Sequence, residues 1–163
     1  MSVYVSTTYL GDGSQVRDAL RELKELKINN IELGSNHSSV KKNKLDLNKN
    51  TKYIVHNYFP HEEKDFIINI ASTRPQVRDK SIDFIKSSII WCQKNDIRFY
   101  TIHPGYFAEA ISPMGQGGEK RNFDLNFDKK SIVRKIKKKT LEETTHIIKH
   151  LYDFANSRTQ LLI

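Results

Sequence analysis

The stretch Asn95-Asp96-Ile97-Arg98-Phe99-Tyr100-Thr101-Ile102-His103-Pro104-Gly105 decides the fold of this chain. Ile97 to His103 is β-branched and aromatic, and Pro104-Gly105 breaks it at once, so it reads as a short strand. Just upstream, Ser72 or Thr73 is placed to cap a helix that tolerates Pro75 in its first turn. Val77, Ser81, Phe84, Ile85, Ser88, Ile89 and Cys92 recur on one face of that helix. Arg78, Asp79, Lys80, Asp83 and Lys86 occupy the other face, and Asn95-Asp96 ends the helix. A helix therefore delivers the chain into a strand.

The same alternation extends in both directions. Val3 to Tyr9 reads as a strand, Gly11-Asp12-Gly13 as a turn, and Ser14 as the cap of a helix to about Lys27 striped by Val16, Leu20, Leu23 and Leu26. Ile31-Glu32-Leu33-Gly34 is a second strand, and Tyr53-Ile54-Val55-His56 a third. Ser35 to Lys52 between them is a polar, lysine- and asparagine-rich loop. Phe66 to Ile70 is a short extended run within a connection. A long loop from Pro104 to about Asp128 leads to a helix from about Lys129 to Asn156. Its inner face holds Ile136, Thr140, Thr144, Ile147, Ile148, Leu151, Tyr152 and Ala155. Thr159 to Ile163 starts another strand. Strands alternating with helices predict a single α/β domain built on a parallel sheet.

Composition bounds the function. The 163 residues are 37% hydrophobic and 10% aromatic, which argues against disorder. No apolar run reaches the roughly 18–20 residues of a membrane span, and the N-terminus lacks the pattern of a signal peptide. The single Cys92, at an inner helix position, reads as a buried structural thiol, so a soluble cytoplasmic protein is expected. The net charge of +8 is local: Lys129, Lys130, Arg134, Lys135, Lys137, Lys138 and Lys139 account for nearly all of it. They begin an amphipathic helix and read first as a solvated outer face.

Functional groups of parallel α/β folds gather at the C-terminal ends of the strands. That rule selects Glu32, His56 with Asn57, and His103 with Gly105 and Tyr106. Two histidines at matching ends of neighbouring strands would be close enough to share a metal ion or a substrate. Tyr58, Phe59, Tyr106 and Phe107 follow them and would either line a sugar-sized pocket or complete the core. Loops and helices account for His37, His61, His146 and His150. Gly115 to Gly118 lacks the spacing of a phosphate-binding loop.

The ordered series Ile54-Val55-His56-Asn57-Tyr58-Phe59-Pro60, Phe66-Ile67-Ile68-Asn69-Ile70-Ala71-Ser72, Val77-Arg78-Asp79-Lys80-Ser81 and Ile102-His103-Pro104-Gly105 resembles the xylose-isomerase-like TIM-barrel superfamily. That superfamily joins sugar-phosphate isomerases and epimerases with DNA-repair enzymes of the endonuclease IV type. The resemblance looks strongest to the isomerase and epimerase branch. It implies a parallel (β/α) barrel cut to about the first four to five β/α units, since a complete barrel has roughly 250 residues. It also implies a divalent ion (Zn, Mn or Mg) with His56 and His103 as ligands. Glu32, His56 and His103 would be catalytic, with Asn57, Tyr58, Gly105 and Tyr106 binding a sugar or sugar phosphate. The basic helix start is expected on the outside of the barrel, away from the site, so nucleic acid is not the expected partner. Two alternatives stand beside it: a zinc-dependent AP endonuclease of the endonuclease IV type, and a shortened, non-catalytic barrel whose unpaired strand edges would favour self-association.

Overall fold

A computed structural model describes residues 2–11, 13–38, 45–60, 66–106, 109–110, 123–124 and 130–163. The elements run β1 (Val5–Ser6), a 3-10 helix (Thr7–Leu10), α1 (Val16–Glu25), β2 (Asn30–Leu33), β3 (Lys52–Val55), α2 (Pro75–Lys94) and β4 (Phe99–Thr101). They continue with β5 (Glu109–Ala110), β6 (Phe123–Asp124), α3 (Lys130–Ala155) and β7 (Gln160–Leu162). Five strands form one sheet in the order β1-β2-β3-β4-β7, every pair parallel. β5 and β6 form a separate antiparallel ribbon. The chain is thus α/β with a parallel sheet, as the alternation of strands and helices predicts.

Strand register explains which face of the sheet is buried. Leu33, Val55, Tyr100 and Leu161 are cross-strand partners, and all four are buried. The preceding row, Glu32, Ile54, Phe99 and Gln160, is half-buried to exposed. Side chains alternate between faces along a strand, so the helices cover only the Leu33 face. Phe84, Ile85, Ile89 and Cys92 from α2, Val16 and Leu23 from α1, and Leu151 and Ala155 from α3 join that row in one core. Fully burying each Val, Leu, Ile or Phe side chain among them contributes roughly 1.5–3 kcal/mol.

All three α-helices among the described residues close with the chain in the left-handed region, α3 at Asn156 (φ 49°) and Ser157 (φ 56°). Lys27 (φ 57°) and Asp96 (φ 54°) follow α1 and α2. Ile28 N–H then donates to Leu23 O, and Ile97 N–H to Cys92 O, each at 2.9 Å. These bonds satisfy carbonyls that the helix leaves open, and they bring Ile28 and Ile97 back onto the core.

Several local expectations need correction. The first strand is only two residues long, because Thr7 to Leu10 turn into a 3-10 helix. Ser14 does not cap α1: the N-cap is Gln15, without a side-chain bond, and the Ser14 hydroxyl donates to Gly11 O at 2.8 Å. The N-cap of α2 is Arg74, and Ser72 Oγ accepts from Arg74 N–H instead. The fourth strand spans Phe99–Thr101 of the expected Ile97–His103. The expected loop after Gly105 contains the β5–β6 ribbon. Tyr152, expected to face inward, is 45% exposed, and its hydroxyl donates to Leu161 O.

Connectivity also orients α3. Gln93, near the end of α2, donates to the carbonyl of Ala155 at the end of α3 (3.0 Å), and Thr159 Oγ1 donates to Ile97 O (3.2 Å). Both helix C-termini therefore sit where β4 and β7 begin. α3 starts at the opposite end, beyond the C-terminal ends of the strands. At 26 residues α3 is about 39 Å long against about 10 Å for the three-residue β7, so its first turns project past the sheet.

Candidate functional site

The site is assembled by strand periodicity. Glu32 lies within β2, one residue before its end, on the face that the helices leave uncovered. His56 is the first residue after β3, and its N–H still donates to Leu33 O at 2.9 Å, so the parallel pairing runs one step beyond the strand. Burial alternates from Tyr100 through His103, with Tyr100 and Ile102 buried, Thr101 half-buried and His103 exposed. His103 therefore shares the Glu32 face.

Electrostatics links the three groups. Burial holds the His56 imidazole below its ordinary value of 6.5, the Glu32 carboxylate pulls it back up, and His103 lowers it further. Desolvation wins, so the neutral ring is favoured. His56 Nδ1 is buried and has no hydrogen-bond partner among the described residues. Asn57 is buried too, and among the described residues neither its carboxamide oxygen nor its nitrogen has a partner, while its backbone carbonyl accepts from Tyr100 Oη at 2.7 Å. Buried polar atoms left unpaired cost free energy, and here they cluster at the end of β3.

The remaining candidates divide. Tyr106 is half-buried, and its ring stacks on His103 with centroids 6.1 Å apart and planes 16° apart. Gly105 adopts φ 118°, a conformation that side-chain-bearing residues rarely enter. Tyr58 braces the scaffold, its hydroxyl accepting from Ile68 N–H at 2.9 Å. Phe59 belongs to the core, edge-on to Trp91 at 5.4 Å. Phe107, His61 and Gly115 to Gly118 lie outside the described residues.

His37, which sequence reasoning left to the loop, is a buried tie between three elements. Its Nε2 lies 2.8 Å from Thr7 Oγ1, its Nδ1 lies 3.0 Å from Ser14 Oγ, and Thr7 Oγ1 accepts from Gly34 N–H at 2.9 Å. With Ser14 donating to Gly11 O, a ring protonated on Nδ1 satisfies every one of these contacts. No spacing signal marks this group, because its members are 7, 14 and 37 in the chain.

His56 suits a divalent cation: its Nδ1 is unpartnered among the described residues, and the favoured neutral ring is the ligating form. Among the described residues no group of three or more His, Cys, Asp and Glu is gathered closely enough to hold a metal ion. No helix among them is long and apolar enough to cross a membrane. No protein-family model, curated protein or solved structure matches the chain.

Proposed function

We propose that the chain carries part of a metal-assisted isomerase or epimerase acting on a sugar or sugar phosphate, on a barrel of the TIM type. The barrel reading is supported by strand order: β1, β2, β3, β4 and β7 are laid down in sequence without reversal, and all helices pack on one face. A doubly wound sheet would reverse direction and carry helices on both faces. The observation that carries the functional reading is His56 Nδ1, buried without a partner among the described residues and within electrostatic reach of Glu32 and His103.

In this reading His56 and His103 would hold the cation, and a bound cation would supply polarisation of adjacent sugar oxygens. Glu32 accepts a hydrogen bond from a substrate hydroxyl. Tyr106 gives the sugar an apolar wall beside His103. Asn57, enclosed at the end of β3, is tied to Tyr100 Oη through its backbone carbonyl, which holds the turn that carries His56. The test is metal content and turnover of the protein at its full natural length across a panel of aldoses, ketoses and their phosphates. Interconversion that is lost in His56→Gln supports the reading. Absence of both bound metal and turnover overturns it.

A second reading, a DNA-repair nuclease of the endonuclease IV type, gains from the placement of α3. Its basic start, Lys130 to Lys139, lies at the same end of the sheet as His56 and His103. That reading predicts duplex binding that weakens steeply with salt and cleavage at abasic sites. Sugar turnover without abasic-site cleavage decides against it.

A further inference from the structure

We infer that Asn69 is a positioning residue for the candidate site, the anchor that fixes the loop carrying His103 and Tyr106. The inference rests on the reading above only in treating His103 as part of the site.

Asn69 sits in the connection between β3 and α2, is 2% exposed, and is held at its own backbone. Its N–H donates to Ser81 Oγ at 3.0 Å, and Ser81 in turn donates to Val77 O at 2.6 Å within α2. The residue is therefore tied to α2. From that base its side-chain Oδ1 accepts two backbone N–H groups, from Ala71 at 3.1 Å and from Tyr106 at 3.0 Å. The Tyr106 bond joins residues 37 apart in sequence and pins the strand-end loop to α2.

Gly105 shows how closely the loop is seated. A Cβ at Gly105 would lie 2.2 Å from Asn69 Oδ1 and 3.0 Å from Asn69 Cα, and φ 118° disfavours a side chain there in any case. The glycine lets the backbone approach the carboxamide, and the carboxamide fixes the next amide. Tyr106, fixed at its N–H, places its ring parallel to His103. The chain of contacts runs from Val77 through Ser81 and Asn69 to Tyr106, and ends on the imidazole. His103 is exposed, and among the described residues its ring stacks on Tyr106 alone, so this loop sets its orientation.

The experiment reads His103 directly. Aromatic NMR spectra of the 163-residue chain, with the His103 ring assigned through His103→Gln, report its ring-current shift from Tyr106. In Asn69→Ala the His103 ring signals move to free-histidine positions, while methyl signals of Ile85 and Ile89 stay in place. Asn69→Asp, which keeps an acceptor oxygen at the same position, restores the stacked shift. Gly105→Ala approaches from the other partner and displaces the His103 signals in the same direction, so the inference remains testable if Asn69→Ala does not fold. Zn2+ affinity, where the cation binds, falls roughly 10–100-fold in Asn69→Ala. An unchanged His103 shift in folded Asn69→Ala, or in folded Gly105→Ala, overturns the inference. Failure of Zn2+ to bind the unaltered chain, with the shifts behaving as described, counts against the metal reading and leaves the positioning role standing.

Discussion

His56 is the residue at which stability and function diverge. Its ring is desolvated and its Nδ1 unpaired among the described residues, a combination that a purely structural histidine such as His37 avoids by bonding both nitrogens. The folded state depresses the proton affinity of His56, so the unfolded chain takes up the proton first as pH falls. Stability associated with this group is complete above the unfolded value of 6.5 and is lost as pH drops through the lower folded value. Thermal unfolding followed between about pH 7 and pH 5 is expected to show a falling midpoint, with a shallower fall in His56→Gln. An identical slope in the variant would contradict the assignment. The candidate residues themselves were legible because strand ends are readable from Gly and Pro: Gly34, Pro60 and Pro104-Gly105 each follow a selected residue closely. Burial of Asn57 and the bracing role of Tyr58 were not legible, since both depend on which partner the folded chain brings to them.

At the level of elements, period decides what can be read. The stripe on α2 was visible from Ser81 to Cys92, and those positions are buried, together with Trp91. Caps were less visible, because a serine has several partners open to it. Ser14 is taken by Gly11 and His37, and Ser72 by Arg74. The end of α2 at Asn95-Asp96 carries residues that tolerate the left-handed region, whereas α1 places Lys27 there. Lys27→Gly is therefore expected to raise unfolding stability by up to about 1 kcal/mol, measured by urea titration at constant m-value. A destabilised variant would show that the Lys27 side chain makes a compensating contact. Burial pushes the Cys92 thiol up to about 12, so a thiol reagent at neutral pH is expected to leave it unmodified until the chain unfolds. Rapid labelling of native protein would contradict the packing of α2.

For the whole molecule, the open question raised by the sheet is coverage. Parallel sheets are ordinarily buried on both faces, yet the Glu32 row is only partly buried and the outer edges of β1 and β7 pair with no strand among the described residues. Leu162 and Ile163 are 41% and 68% exposed at the β7 edge. The isolated 163-residue chain is expected to self-associate, with Leu162→Lys shifting light-scattering mass toward the monomer. A monodisperse monomer at high concentration would contradict this. The parallel α/β class was legible from alternation alone. The β5–β6 ribbon was not, because two-residue strands carry no period, and the end of the sheet from which α3 begins emerged only once β4 and β7 were seen as parallel neighbours.

The central claim is that Glu32, His56 and His103 act as one site, and calorimetric titration of the 163-residue chain with Zn2+ tests it most directly. The account predicts a single saturable event that is weakened at least tenfold by His56→Gln and, separately, by His103→Gln, with Glu32→Gln also reducing affinity. Binding of undiminished affinity in both histidine variants, or no binding by the unaltered chain, would contradict it.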